Sequence, residues 1–480
     1  MKAFYLFIVF LLVAANINIC FAQKNKTSEI IILHVNDIHS TINNFPKLSA
    51  YFKELKKQNQ NVFLVADGDL FSGNPVVDQY PEKGFPIIDL MNKTGFIASA
   101  IGNHEFDFTQ DVLAKRIVNS KFVFLAANLS SSQDYLKLVK PFIIIETNNQ
   151  LKIALIGLTQ VQKNGLPDTH PDKVKNIEFQ QPDEVLYKYE YLKKENNAVV
   201  VLSHSGCDID SILAEKHQFI DVIIGGHSHK LIQNPTDYYN TLITQAGQKL
   251  NYIGKLTLTF ENGKLVNKKD ELIKVSNLIA IDESIKATVN EYNNNQSLKK
   301  VIGNAEVDIC GTSELGCLIT DAIISFTKAD IAFQNTGGIR IDTIKKGDIT
   351  IGDIYRLDPF GNTIYTYLLS TDQIKELIKY SYIKEKQLDL ETSGINYTII
   401  TNHNDEIKNI ILTDYKTKKL DPNKKYKVAM NSYIANAYKF NQNKSLFQSE
   451  ETGAEILIKY LNNNKNINYK NIKRIFNKIE

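Results

Sequence analysis

Five times in the first half of the chain, a short Val/Ile-rich run stops at an Asp, Asn or His. Ile30–Val35 leads into Asn36-Asp37-Ile38-His39, Val62–Ala66 into Asp67-Gly68-Asp69, and Ile97–Ile101 into Gly102-Asn103-His104-Glu105-Phe106-Asp107. Ala198–Leu202 leads into Ser203-His204-Ser205-Gly206, and Val222–Ile224 into Gly225-Gly226-His227-Ser228-His229. Apolar runs of this length, bounded by Gly, Asn and Asp, predict strands buried on both faces. Further runs at Phe122–Ala126 and Ile153–Leu158, with helical stretches such as Phe45–Lys57 and Pro182–Lys194 between them, predict an α/β class with layered sheets.

Loops beyond the carboxyl ends of strands in such sheets converge on one crevice. The chain is therefore expected to gather three carboxylates, one amide and five imidazoles. Crowded carboxylates raise one another's pKa unless positive charge sits among them. Carboxylate oxygen with imidazole nitrogen suits Zn, Mn, Fe and Co. Asp37 and His39 are two apart and face one side of an extended segment, as do His227 and His229. Gly68, Gly102, Gly225 and Gly226 allow sharp turns at the strand ends. A single His at a strand end is usually a satisfied polar residue, and a single Gly-Asp is usually a turn. The metal reading rests on all five motifs occurring in order after five strands. His34, inside the first run, reads as packing; His170, His217 and His403 read as surface.

Length enters next. At 480 residues the chain exceeds one small core and suggests two or three domains. Net charge is +3, and Arg occurs only at Arg116, Arg340, Arg356 and Arg474, so there is no basic stripe for a nucleic-acid partner. Residues 1–22 read as a signal peptide: Lys2, the apolar run Ala3–Ala15, then Cys20-Phe21-Ala22. The run is shorter than the roughly 20 residues of a spanning helix. Export to the periplasm or medium, without stable membrane insertion, is the expectation. Cys207, Cys310 and Cys317 then remain; Cys310 and Cys317 could pair, but three small buried side chains is the preferred reading. A first unit at 28–275, a helical linker at 276–299 and a second unit at 300–478 follow from the pattern. The second unit starts near Val301 and holds a helix at Ser313–Thr327, with Ser313 as its expected cap, and a strand Ile331–Gln334 that runs into a Gly-containing turn.

The ordered set Asp37-x-His39, Gly68-Asp69, Gly102-Asn103-His104-Glu105, His204 and Gly226-His227-x-His229 resembles the calcineurin-like metallophosphoesterases. Asn335-Thr336-Gly337-Gly338-Ile339-Arg340, Pro359-Phe360-Gly361-Asn362 and Leu315-Gly316-Cys317-Leu318-Ile319-Thr320-Asp321-Ala322 resemble the C-terminal domain of 5′-nucleotidases. The resemblance implies a four-layer sandwich-type metallophosphoesterase domain followed by a smaller α/β (α+β) substrate-binding domain. It also implies two divalent metal ions (Zn, Mn, Co or Fe): Asp37, His39 and His229 on one, Asn103, His204 and His227 on the other, and Asp69 bridging. His104 and Asp107 would be catalytic, beside the phosphate. Asn335, Gly337, Gly338, Arg340, Phe360 and Tyr433 would bind substrate, with Phe360 and Tyr433 clamping the base; both aromatics could equally be core.

The implied reaction is hydrolysis of nucleoside 5′-monophosphates, with a small-molecule nucleotide as partner. A 2′,3′-cyclic nucleotide phosphodiesterase, a UDP-sugar hydrolase or a non-catalytic surface binding protein stays open. Two departures from the family pattern bear on this. Asn436-Ala437-Tyr438-Lys439-Phe440 stands where Gly-Gly-Asp-Gly-Phe is usual, and Ala305–Ser313 contains no Arg.

Overall fold

A computed structural model describes residues 27–131, 134–235, 237–442 and 444–480; the expected leader at 1–22 lies outside them. Two six-stranded sheets are built from residues 27–274. In the first, Thr27–Asn36, Val62–Asp67, Ala98–Ala100 and Val123–Leu125 run parallel, with Tyr252–Glu261 and Lys264–Lys274 antiparallel at one edge. In the second, Lys152–Thr159, Ala198–His204, Val222–Gly225 and Thr241–Thr244 run parallel between two antiparallel edge strands.

The unbroken apolar runs follow from burial on both faces. Ile30 and Ile32 pack between the sheets with Val65, Leu155, Val200 and Ile224. Ile31, Leu33 and Val35 point the other way, onto the helices Phe45–Gln58 and Phe85–Thr94 through Leu48, Ile88 and Met91. On the second sheet Ala154, Ile156, Val199 and Val201 meet Val185, Leu186 and Leu213 of the covering helices. The order is helices, sheet, sheet, helices, the expected four layers. Parallel register brings the carboxyl ends to one edge: Asn36 lies opposite Asp67, Asp67 opposite Ala100, and Gly225 opposite Ser203.

Residues 301–479 are built around a five-stranded sheet, in the order Leu390–Ser393, Ile331–Asn335, Lys425–Asn431, Thr363–Ser370 and Phe447–Thr452. One apolar cluster joins the helix Gly311–Thr327 to the helix Gly453–Asn463. Another joins the sheet to Ile374, Leu377 and Ile378 of the helix Thr371–Glu385.

Several local expectations are corrected. The helix expected from Ser313 begins at Gly311, whose φ is +73°, and Ser313 donates to Glu391 at 3.0 Å instead of capping. The stretch Pro182–Lys194 is interrupted by a 3-10 turn at Tyr187–Tyr189. The three cysteines are unpaired, but only Cys317 is buried; Cys310 is exposed and Cys207 half-buried. His217 is buried, not on the surface, because it ends the helix Cys207–Lys216 against Tyr187 and the Asp183 carbonyl. His34 is buried as read, and Nε2 lies 3.0 Å from Asp270, a partner 236 residues away. Among the described residues no helix is long and apolar enough to cross a membrane.

The helix Glu283–Asn293 places Ile285 and Val289 in the core of the first half. Asp282 caps it: Oδ1 accepts the amides of Ser284 and Ile285, and Oδ2 accepts Ser49 Oγ and Lys53 Nζ, each at 2.5 Å. Asp282→Ala is expected to cost about 1–2 kcal/mol, the usual loss for an N-cap, in urea unfolding. An unchanged midpoint and slope would show that the helix is held by packing alone.

Candidate active site

Asp37, His39, Asp69, His227 and His229 all have left-handed backbones, with φ between 46° and 67°. Such conformations cost of order 1–3 kcal/mol each away from glycine, and they cluster at functional sites. Here they aim five side chains at one point. The predicted glycines serve space more than turning. Of Gly68, Gly102, Gly225 and Gly226, only Gly68 has positive φ. A Cβ at Gly102 would lie 2.2 Å from Asp69 Oδ1, and one at Gly226 would lie 2.8 Å from His204 Nδ1.

The structure brings all seven predicted ligands together. Asp37, His39, Asp69 and His229 converge in one group that could hold a metal ion, and Asp69, His204 and His227 in a second. Asp69 belongs to both. Its Oδ2 is 3.1 Å from His204 Nε2 and 3.9 Å from His39 Nε2. The Nε2 atoms of His39 and His229 are 3.0 Å apart, and His227 Nδ1 is 3.0 Å from Asn103 Oδ1.

Second contacts orient the rings. His204 Nδ1 donates to the Asp67 carbonyl at 2.7 Å, and His39 Nδ1 to the Ser72 carbonyl at 3.0 Å. Each ring therefore turns Nε2 inward, and the buried His204 Nε2 faces Asp69 Oδ2 at 3.1 Å without the alignment of a good hydrogen bond. Burial, then Arg340, holds His39 well below the ordinary histidine range; burial, then His204, holds His227 down at about 4. Both are neutral at pH 7, as ligands must be. Burial also disfavours charge on His204, but Asp69 and Asp37 outweigh it and push its pKa well up. The carboxylates call for positive charge at that nitrogen, proton or cation. Buried imidazole nitrogens turned toward a shared carboxylate, in a carboxylate–imidazole–amide set, are what divalent transition metals fit.

Glu105 ties the loops. Oε1 accepts the Leu70 amide at 2.6 Å, and Oε2 accepts the amides of Asp69 and Gly102 at 3.0 and 2.5 Å. His104 stands beside the cluster. Its amide donates to Asp69 Oδ1 at 2.9 Å, and its Nδ1 is 2.7 Å from Asp107. Burial opposes its protonation, but Asp107 and Asp69 prevail and raise its pKa.

The second half closes over this edge. The Phe360 ring stacks on His104 with centroids 5.7 Å apart, and the Arg340 guanidinium lies 5.5 Å from the Phe360 centroid. Asn335, Gly337, Gly338 and Tyr433 line the same cleft. Every predicted site residue thus lies at the cluster or along one cleft that leads from it.

Residues the sequence did not reveal also line that cleft: Asp168, Lys173, Glu385 and Asp389. His170, read as surface, is there too, with Nε2 2.9 Å from Asn436 Nδ2. Asp168, His170 and Asp389 sit on irregular segments, Lys173 in the 3-10 turn Pro171–Val174 and Glu385 at the end of the helix Thr371–Glu385, where no periodicity marks them. Tyr438, at the position of the expected Asp, donates to Asp389 at 2.5 Å, so a carboxylate reaches the cleft from another segment.

Residues 30–231 match the calcineurin-like phosphoesterases, and residues 297–441 match the 5′-nucleotidase C-terminal domain. The chain is 26% identical to a 5′-nucleotidase of Diplobatis ommata, over 85% of this chain and 82% of that protein. It is also 26% identical to the trifunctional nucleotide phosphoesterase protein YfkN of Bacillus subtilis, over 79% of this chain but 30% of that longer one. Among solved structures, a 5′-nucleotidase precursor from Thermus thermophilus superposes with a TM-score of 0.82 at 26% identity, over 94% of this chain and 99% of that one.

Asp358 sits just before Pro359-Phe360 and is buried, with its pKa pushed up to about 7 by burial against one amide bond from Phe360. Between about pH 4, the unfolded carboxyl range, and about 7, the folded chain holds a proton that the unfolded chain lacks. Stability then falls as pH rises through that window. Thermal melts at pH 5 and pH 8 are expected to show a smaller drop for Asp358→Asn than for the wild type. Equal drops would contradict the buried acid.

Proposed function

Because the chain belongs to the 5′-nucleotidase family of calcineurin-like phosphoesterases, and so is a phosphoester hydrolase, we propose that it converts nucleoside 5′-monophosphates to nucleoside and phosphate with two divalent cations. The observation that carries this is the shared position of Asp69 between two ligand groups, with His104 and Asp107 beside it and Arg340 facing them. Asp37, His39, Asp69 and His229 would hold one cation; Asp69, Asn103, His204 and His227 the other. Bound there, the cations would supply Lewis acidity for hydrolysis at neutral pH and offset the charge that develops on the phosphoryl group.

The chain's own groups do the rest. Asp107 fixes the proton on His104 Nδ1 and leaves Nε2 to donate toward a phosphoryl oxygen, a clamp whose charge is in place before the reaction. Asp107, then Asp69, favours that proton against the cost of burial. Arg340 supplies a second fixed positive charge, and Gly337 and Gly338 let substrate approach the backbone. Phe360 and Tyr433 offer flat surfaces to a base, which stack on any base alike. The apolar run Ala3–Ala15 supports export through a signal peptide, to the periplasm or medium.

A second reading, hydrolysis of cyclic nucleotides or nucleotide sugars, is favoured by the absence of Arg from Ala305–Ser313 and by Tyr438 in place of an acid. A panel of AMP, 2′,3′-cyclic AMP and UDP-glucose, run on metal-stripped protein with Mn²⁺, Zn²⁺ or Co²⁺ restored, separates the two. AMP is expected to give the highest kcat/KM, and EDTA to abolish turnover. Asp69→Asn and His104→Ala are expected to lower kcat by on the order of 10²–10⁴. Full activity in EDTA, or a His104→Ala enzyme as fast as wild type, would end the proposal.

A further inference from the structure

In the same cleft, the loop after the Lys152–Thr159 strand holds a carboxylate in place. Asp168 is fixed at three points. Its amide donates to Gln160 Oε1 at 2.7 Å, its carbonyl accepts Asn103 Nδ2 at 3.0 Å, and its Oδ1 accepts the Tyr433 hydroxyl at 2.6 Å. Among the described residues no donor is bonded to Oδ2, and Asp168 lines the cleft. The neighbouring acids are spoken for. Asp389 accepts from Thr336 and Tyr438, and Glu385 pairs with Lys384. Lys384 itself lies over the Tyr433 and Tyr438 rings.

The bond from the phenol hydroxyl puts the Asp168 carboxylate at the rim of the Tyr433 ring. A flat group stacked on that ring would have its edge beside Oδ2. Stacking cannot tell one ring from another, and the charges at His104 and Arg340 serve any phosphomonoester. Selection for the nucleoside has to come from a directional polar group, and Asp168, fixed at the edge of the Tyr433 ring with Oδ2 still open, is placed to be one, whereas Glu385 is already paired with the Lys384 ammonium.

We propose that Asp168 is a specificity-determining residue whose carboxylate accepts hydrogen bonds from the nucleoside moiety, from ribose hydroxyls or base N–H groups, once a ring stacks on Tyr433. This rests on the nucleotidase reading. A substrate lacking those donors leaves the carboxylate desolvated and unpaired, which costs on the order of ten- to a hundredfold in kcat/KM. The two ends of the substrate are also linked through the chain: the residue that meets the nucleoside holds, by its own carbonyl, the Asn103 amide at the cation cluster.

The test uses the Mn²⁺-loaded full chain and four substrates: AMP, ribose 5-phosphate, 2′,3′-dideoxy-AMP and 4-nitrophenyl phosphate. In Asp168→Asn the ratio of kcat/KM for AMP to that for 4-nitrophenyl phosphate is expected to fall about tenfold or more, carried by KM. Tyr433→Phe, which frees Oδ1 but keeps the ring, is expected to fall by less. A loss shared by ribose 5-phosphate assigns the donors to the sugar; a loss shared by 2′,3′-dideoxy-AMP assigns them to the base. An unchanged ratio in Asp168→Asn, at wild-type metal content, overturns the inference and leaves the nucleotidase reading standing. A wild type that turns over 4-nitrophenyl phosphate and no nucleotide overturns that reading instead.

Discussion

A buried carboxylate cannot stay charged without nearby positive charge, and Asp69 sets that demand for the whole cluster. It is almost fully buried, and imidazoles from His39, His104 and His204 lie within 4 Å of it. Its oxygens cannot be satisfied by a neutral apolar core. The surrounding architecture meets the demand in two ways. Glu105 pins its backbone, and the carbonyls of Ser72 and Asp67 turn the imidazoles of His39 and His204 so that their Nε2 atoms face inward. The proposed cations complete this arrangement without adding to it.

Such a site is costly to hold. Five left-handed non-glycine residues and several close backbone approaches have to be offset elsewhere. The offset lies in the doubly covered sheets beneath, where each fully buried Val, Ile or Leu contributes roughly 1.5–3 kcal/mol. The rigid layers fix the strand ends, and the strained loops only span between them. Among the described residues the second half contributes no metal-type ligand to either group; it brings Arg340, Phe360 and Tyr433 to a cleft whose other wall is the cluster. The cluster and the proposed substrate contacts thus meet at one edge, with Asp168 of the first half facing Tyr433 of the second across the cleft.

Much of this was legible because the relevant signals are local. Strand, turn and ligand follow one another within a few residues, so Asp37, Asp69, Asn103, His204 and His227 could be read from position alone. The α/β layering was legible for the same reason, since double burial leaves unbroken apolar runs. What could not be read depends on separation in the chain. Asp168 and Tyr433 are 265 residues apart, and Glu105 braces Leu70 across 35. His217 looked polar by its neighbours but is buried by a helix contact. Ser313 looked like a cap but is drawn to Glu391, and the helix starts earlier because Gly311 can adopt positive φ. In each case a distant partner overrode a sound local preference.

The central claim is that Asp69 joins two cation positions. Metal content by mass spectrometry, after dialysis against excess Mn²⁺ and then buffer, addresses it without reference to turnover. The account predicts two ions per wild-type chain, a loss of both in Asp69→Ala, and about one retained in His227→Ala. A wild type that binds no ion, or an Asp69→Ala chain that still holds two, would contradict it.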